Sequence, residues 1–350
     1  MDLPAFWKSD LGALDGLAGS ARVAEVSEIA RSAGNRPVWA FRYGARQAVA
    51  SSANYSSACG AHDSRFYADR QGKKPAVLLV GAVHGQETEG LMALLNLVSL
   101  LETGLDLGGR ANRGLVEAAG AVRLTIVPAA NPDGRARVAP DSMIGMRNDE
   151  LQYWGQGTWK DGNLCRWPDC KRVHPIKDFA GFLGGYFNDD GVNLNHDQFF
   201  KPMARETQAL FDIAIDEFAD CILMLHGGTN SQNALLPTAY APLEACEALR
   251  QLARRCDTKA RAEGLAFCVP PFPPLPSGDT PPSFNLASAL HHAVGAVAAI
   301  FESNECIVDQ PGVQYTHEQI YRSHMILFEE ALRFFASRQL GGAHSDFGLY

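Results

Sequence analysis

The sequence predicts an α/β protein built on a mainly parallel or mixed sheet with helices on both faces. Three observations carry that expectation. Strand-like and helix-like segments alternate along the chain. Several of the strand-like segments are continuous apolar runs, as strands buried on both faces are. No repeat or linker breaks the alternation, so the 350 residues read as one domain spanning 1–350.

The elements follow in order. Residues 4 to 33 read as helical, and "PVWAFRYG" from Pro37 as a strand. Residues 50 to 74 are polar and turn-rich and suit a hairpin or loop. "PAVLLVGAVHG" then reads as a buried strand. "ETEGLMALLNLVSLLETG" follows as a helix with leucines on more than one face and Gly104 at its end. "VRLTIVPAANPDG" is a second buried strand closed by a turn, because Asn131, Pro132, Asp133 and Gly134 are all turn formers. Residues 135 to 190 have no strong periodicity, and so long an irregular stretch usually serves function. A helix is expected at 203–219, the strand "CILMLHGG" at 221–228, and a helix over 242–263. "VPPFPPLPSGDTPPS" is a proline-rich extended loop. Helix 284–293, strand "AVAAIFE" and helix 316–337 complete the chain.

Composition narrows the function. There are 31 basic and 39 acidic residues, a formal charge of −8, with no basic block or basic-aromatic stripe. Nucleic acid and an anionic membrane are therefore not expected partners. The N-terminus lacks a positive region followed by an apolar core, and no run is long enough to span a bilayer, so a cytoplasmic location is expected. Of the eight cysteines, most sit in apolar surroundings as reduced thiols. Cys165 and Cys170 form a close pair in a loop-like stretch, open to a local disulfide, half of a metal site, or two separate thiols.

In open α/β sheets, ligands bind beyond the carboxyl ends of the strands. The residues delivered there are His84 and Glu87, Asn131, His226, and Glu302. Two histidines with one carboxylate, leaving a position for water, make a catalytic zinc set. The remaining glutamate can act as general base. His-x-x-Glu alone carries little, since such pairs occur in many chains. The joint occurrence at three strand ends carries the reading.

This pattern resembles the M14 zinc carboxypeptidases, the relatives of carboxypeptidase A. The family's His-x-x-Glu matches "HGQE", its Asn-Pro-Asp-Gly matches 131–134, its third zinc ligand matches His226, and its late glutamate matches Glu302. The family's Gly-Val-Asp-Leu-Asn-Arg segment matches "GVNLNHD" at 191–197 imperfectly. The resemblance implies a mixed, mostly parallel sheet of eight strands and one zinc per chain on His84, Glu87 and His226. It makes Glu302 the base that takes a proton from the attacking water and passes it to the leaving amine.

The departures are chemical. The family's aspartate behind a zinc-binding histidine is here Asn193, which can accept the same bond without charge. The family's Asn-Arg pair grips a terminal carboxylate. Here Asn195 is kept and the arginine is His196, a shorter group that is largely neutral at neutral pH. A weakened carboxylate grip is expected, unless Lys171, Arg172 or Arg166 reaches the pocket from the 135–190 segment. The family's mobile tyrosine has no counterpart in "PPFPPLPSGD". Its transition-state arginine is best matched by Arg147, ahead of Arg135 and Arg137. The expected activity is hydrolysis of an amide bond in a peptide or acyl-amino compound, with an altered carboxylate pocket. The other readings are an N-acyl amidase, deacylase or ester hydrolase for a small molecule, and a zinc-bearing binding protein with little catalysis.

Overall fold

The structure is a computed structural model that describes residues 3–230, 232–272, 274 and 281–338. Its strands are β1 Glu25–Arg31, β2 Pro37–Tyr43, β3 Ala76–Val80, β4 Arg123–Val127, β5 Gly157–Trp159, β6 Ala180–Leu183, β7 Cys221–Gly228, β8 Asn233–Pro237, β9 Phe267–Cys268 and β10 Val297–Asn304. Its helices are α1 Leu11–Ser20, α2 Tyr55–Gly60, α3 Thr88–Thr103, α4 Arg113–Gly120, α5 Pro132–Arg137, α6 Asn148–Gly155, α7 Arg205–Asp216, α8 Leu243–Arg261, α9 Leu286–Val294 and α10 His317–Ser337.

Eight strands form one sheet in the order β1-β2-β4-β3-β7-β10-β8-β9. The four central strands, β4, β3, β7 and β10, run parallel, and β1, β2 and β8 join antiparallel to their inner neighbours. The sheet is thus mixed and mostly parallel, as expected. Helices cover both faces: α1, α3, α4, α8 and α10 pack on one core, and α2, α7 and α9 on the other. This explains the unbroken apolar strands. Along β7, Leu223 and Leu225 enter the first core while Ile222 and Met224 enter the second.

Helix α3 is buried from Thr88 to Leu100, which accounts for leucines around its circumference. It stops where Gly104 turns left-handed at φ 81° and returns its N–H to Leu100. No helix among the described residues is long and apolar enough to cross a membrane.

Two local expectations are corrected. The helix expected over 4–33 covers only Leu11–Ser20, and residues 25–31 are the strand β1. The Glu102 carboxylate accepts the N–H groups of Arg22, Val23 and Ala24 at 2.6, 2.8 and 2.9 Å. Those three donors are taken out of any continuing helix, and β2 supplies β1 with a ladder. The Asn-Pro-Asp-Gly stretch is a helix start. Asn131 caps α5 by accepting from Gly134 N–H at 2.9 Å, and Pro132 takes the first helical position.

The 135–190 segment is built rather than structureless. It contains α6, an antiparallel pair β5–β6, and two small apolar clusters. Cys165 and Cys170 are free thiols buried in one of these clusters with Ile176 and Phe187. Burial pushes the two thiols up to about 12 and about 11. Part of the proline-rich stretch, residues 273 and 275–280, lies outside the described residues.

The loop after β3 is pressed against the start of α5. A β-carbon built on Gly85 would stand 2.1 Å from the backbone of Gly134 and Arg135, which cannot move aside cheaply. The Gly85→Ala variant is expected to lose more than about 2 kcal/mol of stability. Gly16→Ala, in open space on α1, should shift stability by about 1 kcal/mol or less, in the stabilising direction. Urea unfolding midpoints of the two variants check this, and equal midpoints would refute the tight approach.

Candidate metal centre

Each side chain of the site comes from the carboxyl end of a central strand. His84 lies in the loop after β3, Glu87 at the N-terminal boundary of α3, His226 in β7 and Glu302 in β10. The parallel ladder pairs Glu302 with His226 as direct neighbours. By the two-residue alternation of strands, both point to the face that carries Met224 and Ile300.

His84, Glu87 and His226 are buried, and their ligand-capable atoms all lie within 4.8 Å of one another. His84 Nδ1 is 2.7 Å from Glu87 Oε1. His226 Nδ1 is 3.0 Å from Glu87 Oε2, an ion-pairing distance without hydrogen-bond alignment, so that oxygen has no aligned donor among the described residues. His226 Nε2 likewise has no hydrogen-bond partner among them. Two imidazoles and a carboxylate converging this closely fit a divalent metal, and the donor set suits zinc.

The outer partners orient the ligands. His84 Nε2 is 3.2 Å from Asn193 Oδ1, and that oxygen also accepts Asn195 N–H at 3.0 Å. An imidazole bonded at Nε2 in this way keeps Nδ1 for a metal. The His84 ring is also stacked on Tyr186, with centroids 3.7 Å apart and planes 4° from parallel. Tyr186 has no signal in the sequence, because its stacking partner is 102 positions away and no spacing rule connects them.

Electrostatics follow from burial and from the carboxylates. Burial lowers the His84 pKa, more than Glu87 raises it. Burial acts to raise Glu87, but the two imidazoles outweigh it and hold the carboxyl below its usual range. The start of α3 adds its own attraction for negative charge. Burial acts to lower His226, yet Glu87 and Glu302 lift it above the usual value. Glu302 is raised chiefly by burial, against the pull of His226. Glu305, three residues on, is buried beside the same cleft and raised well above the usual carboxyl value by burial and by Glu89, Glu87 and Glu302.

Asn195 and His196 line the cleft with the three metal-ligating candidates and Glu302. Arg147 does not. It is exposed at the start of α6, with its guanidinium 3.4 Å from Asp309 and its backbone N–H bonded to Glu150. The expectation that Arg147 faces the reacting centre is corrected: its place just before α6 turns it to the Asp309 loop. Arg135 and Arg137 are tied to backbone carbonyls and to Asp141 and Asp189 respectively. Of the three candidates Lys171, Arg172 and Arg166, only Lys171 lines the cleft, its Nζ 3.2 Å from His196 Nε2. Arg166 pairs with Asp149 at 2.8 Å and Arg172 with Asp169 at 2.9 Å. Burial and Lys171 push His196 down to about 3, so this ring is neutral at physiological pH.

A convergent set of two histidines and a glutamate at the carboxyl ends of a mixed, mostly parallel eight-stranded sheet defines a metallopeptidase of the carboxypeptidase class. The model of the zinc carboxypeptidase family, peptidase M14, matches residues 13–264, and the chain belongs to that family. Among solved structures it is similar to a metallo-carboxypeptidase from Burkholderia cenocepacia, at 14% identity and a TM-score of 0.56, covering 93% of this chain and 68% of that one. It is also similar to the carboxypeptidase A from Helicoverpa armigera, at 15% identity and a TM-score of 0.54, covering 95% of this chain and 74% of that one. At these identities the likeness concerns the fold. No curated protein matches the sequence.

Zinc analysis tests the ligand set. The purified protein is expected to bind about one equivalent, and His84→Ala or His226→Ala to lose most of it, because two protein ligands hold a catalytic zinc poorly. Unchanged zinc in either well-folded variant would remove that histidine from the site.

Proposed function

We propose that this protein is a zinc-dependent hydrolase that cuts an amide bond in a peptide or acyl-amino compound. His84, Glu87 and His226 hold one zinc per chain, and Glu302 is the general base. The observation that carries this reading is the β7–β10 register, which sets a half-buried carboxyl with a raised pKa directly beside a member of the donor set. Zinc, when bound, supplies Lewis-acid chemistry that acidifies a water and polarises the amide carbonyl.

The chain's own residues do the rest. Glu302 takes the water's proton and returns it to the leaving nitrogen, a task suited to a carboxyl tuned toward neutrality. Asn193 and Tyr186 keep the His84 ring in one orientation. Asn195 and His196 contact the substrate. With His196 neutral, this pair cannot supply the fixed positive fork that an arginine would, so the carboxylate pocket is altered.

Gln152, Gln156 and Trp167, all from the 135–190 segment, wall the cleft. That wall favours, as a second reading, an amidase or deacylase for a small N-acyl compound. Glu302 standing beside the donor set argues against a zinc-bearing binding protein, which has no use for a base.

A panel of peptides, N-acyl amino acids and esters, assayed with and without chelator, separates these readings. On the best substrate, Glu302→Gln keeps the shape and removes the base, so turnover should fall by about 10²-fold or more while zinc content stays. Unchanged turnover would remove Glu302 from the mechanism.

A further inference from the structure

We propose that the cavity beside the amino ends of β7 and β10 is a second binding site, for a small aromatic carboxylate. Among the described residues it shares no lining side chain with the cleft that holds the metal-ligating candidates. From Cys221 at the start of β7 to His226 is a run of strand about 17 Å long. The proposal does not depend on the reaction carried out at the far end of that strand.

The cavity forms because several segments start or stop at one place. Asp220 just before β7, Val297 at the start of β10, the first turn of α8 and the ends of α9 and α10 all line it. Its volume is about 150 Å³, a size at which a buried cavity takes up a single benzene-sized ring.

The walls are aromatic. Tyr55, Tyr67 and Phe218 stand in series, with ring centroids 5.5 Å and then 5.3 Å apart, and Phe335 adds a ring from α10. Gly295 makes the room for Tyr55. A β-carbon there would stand 2.4 Å from the Tyr55 ring, and the backbone is left-handed at φ 74°. Such walls take a flat ring by stacked or edge contacts.

The unpartnered polar groups are donors. Tyr67 and Arg70 are 6% and 7% exposed, and Tyr67 Oη and Arg70 Nε have no hydrogen-bond partner among the described residues. A buried donor without an acceptor is costly, and a carboxylate oxygen relieves that cost. Burial pushes the Tyr67 hydroxyl up to about 12, so it keeps its proton to donate. Arg70 Nη2 is already engaged by Asp220 and by Lys74 O at 3.0 Å. Arg338 meets Glu244 at 3.7 Å, beyond hydrogen-bond range, so its guanidinium can turn its donors to an anion. Pro242 gives the first turn of α8 no side-chain cap, and the positive end of that 19-residue helix adds to the attraction.

Charge sets the kind of anion. Arg65, largely exposed, is paired with Asp63, which leaves Arg70 and Arg338 against Asp220 and Glu244. His291 donates from Nδ1 to Ala296 O at 2.6 Å, and burial lowers its pKa, so it lines the cavity as a neutral ring. This balance suits a singly charged carboxylate and disfavours a phosphate dianion.

The test is calorimetric titration of the full-length protein with benzoate. Benzamide is the uncharged match, and acetate is the carboxylate without a ring. Each titration is repeated after chelator treatment, because a carboxylate can also bind at a metal. Benzoate should bind with a Kd of about 1 mM or tighter before and after treatment. Benzamide and acetate should bind more weakly by about 10-fold or more. Ala245→Phe fills the cavity from the first turn of α8 and should abolish binding. Arg338→Gln removes a charge and Tyr67→Phe a hydroxyl, and each should weaken benzoate by about 10-fold. Arg70 is left in place because it neutralises Asp220.

A wild type with no saturable benzoate binding overturns the proposal. So does binding that chelator treatment abolishes, which would put the ligand at the metal, and binding unchanged in Ala245→Phe and Arg338→Gln. Equal affinity for benzamide overturns the carboxylate, and equal affinity for acetate overturns the ring. Circular dichroism and urea midpoints of the variants show whether each is folded, and Arg338→Gln and Tyr67→Phe decide the matter if Ala245→Phe is not.

Discussion

The Glu87 carboxylate, buried between two imidazoles, is the interaction on which the rest of the site depends. An ionised carboxyl removed from water costs several kcal/mol if left alone. Here His84 and His226 face its two oxygens at 2.7 and 3.0 Å, and the first turn of α3 lies behind it. This arrangement needs three pieces of chain at fixed positions. The loop after β3 must pass close against the start of α5 at Gly85, α3 must begin at Thr88, and β7 must bring His226 level with both. The parallel pairing of β3 with β7 sets that level, and the pairing of β7 with β10 places Glu302 next to it.

The loops around this centre are braced by polar contacts that look functional in sequence but are structural in space. Asp133 accepts from Ser32 Oγ at 2.6 Å, from Gly34 N–H at 2.8 Å and from Arg36 at 2.8 Å, joining the start of α5 to the β1–β2 turn. Arg135 donates to the carbonyls of Ser9 and Val138, and Arg137 to that of Leu183. These arginines satisfy buried backbone carbonyls, which is costly to leave undone. Being committed there, they are not available to a substrate.

The 135–190 segment gives the cleft its wall and its charge. Two small apolar clusters, one with Leu151 and one with Cys170 and Phe187, fix a stretch that has no long helix or strand of its own. On that frame Gln152, Trp167 and Lys171 face the cleft. The cleft is acidic at Glu302 and Glu305 and basic at Lys171.

The sequence by itself determined the central strands, the long helices, and the residue types at the strand ends, because these rest on short-range rules. Continuous apolar runs mark strands buried on both faces, and polar residues just beyond them mark the ligand edge. His84, Glu87, His226 and Glu302 were legible for that reason. Only the tertiary structure decided what depends on partners far along the chain. The strand β1 exists through the β2 ladder and the Glu102 carboxylate, overriding a helical reading of residues 21–33. Tyr186 meets His84, and Lys171 meets His196, across loops whose paths no periodicity encodes. Arg147 has the right charge and the right place in the order of residues, yet the boundary of α6 turns it toward Asp309. A side chain's direction is set by the dihedrals and packing of its own loop, and a one-dimensional pattern carries neither.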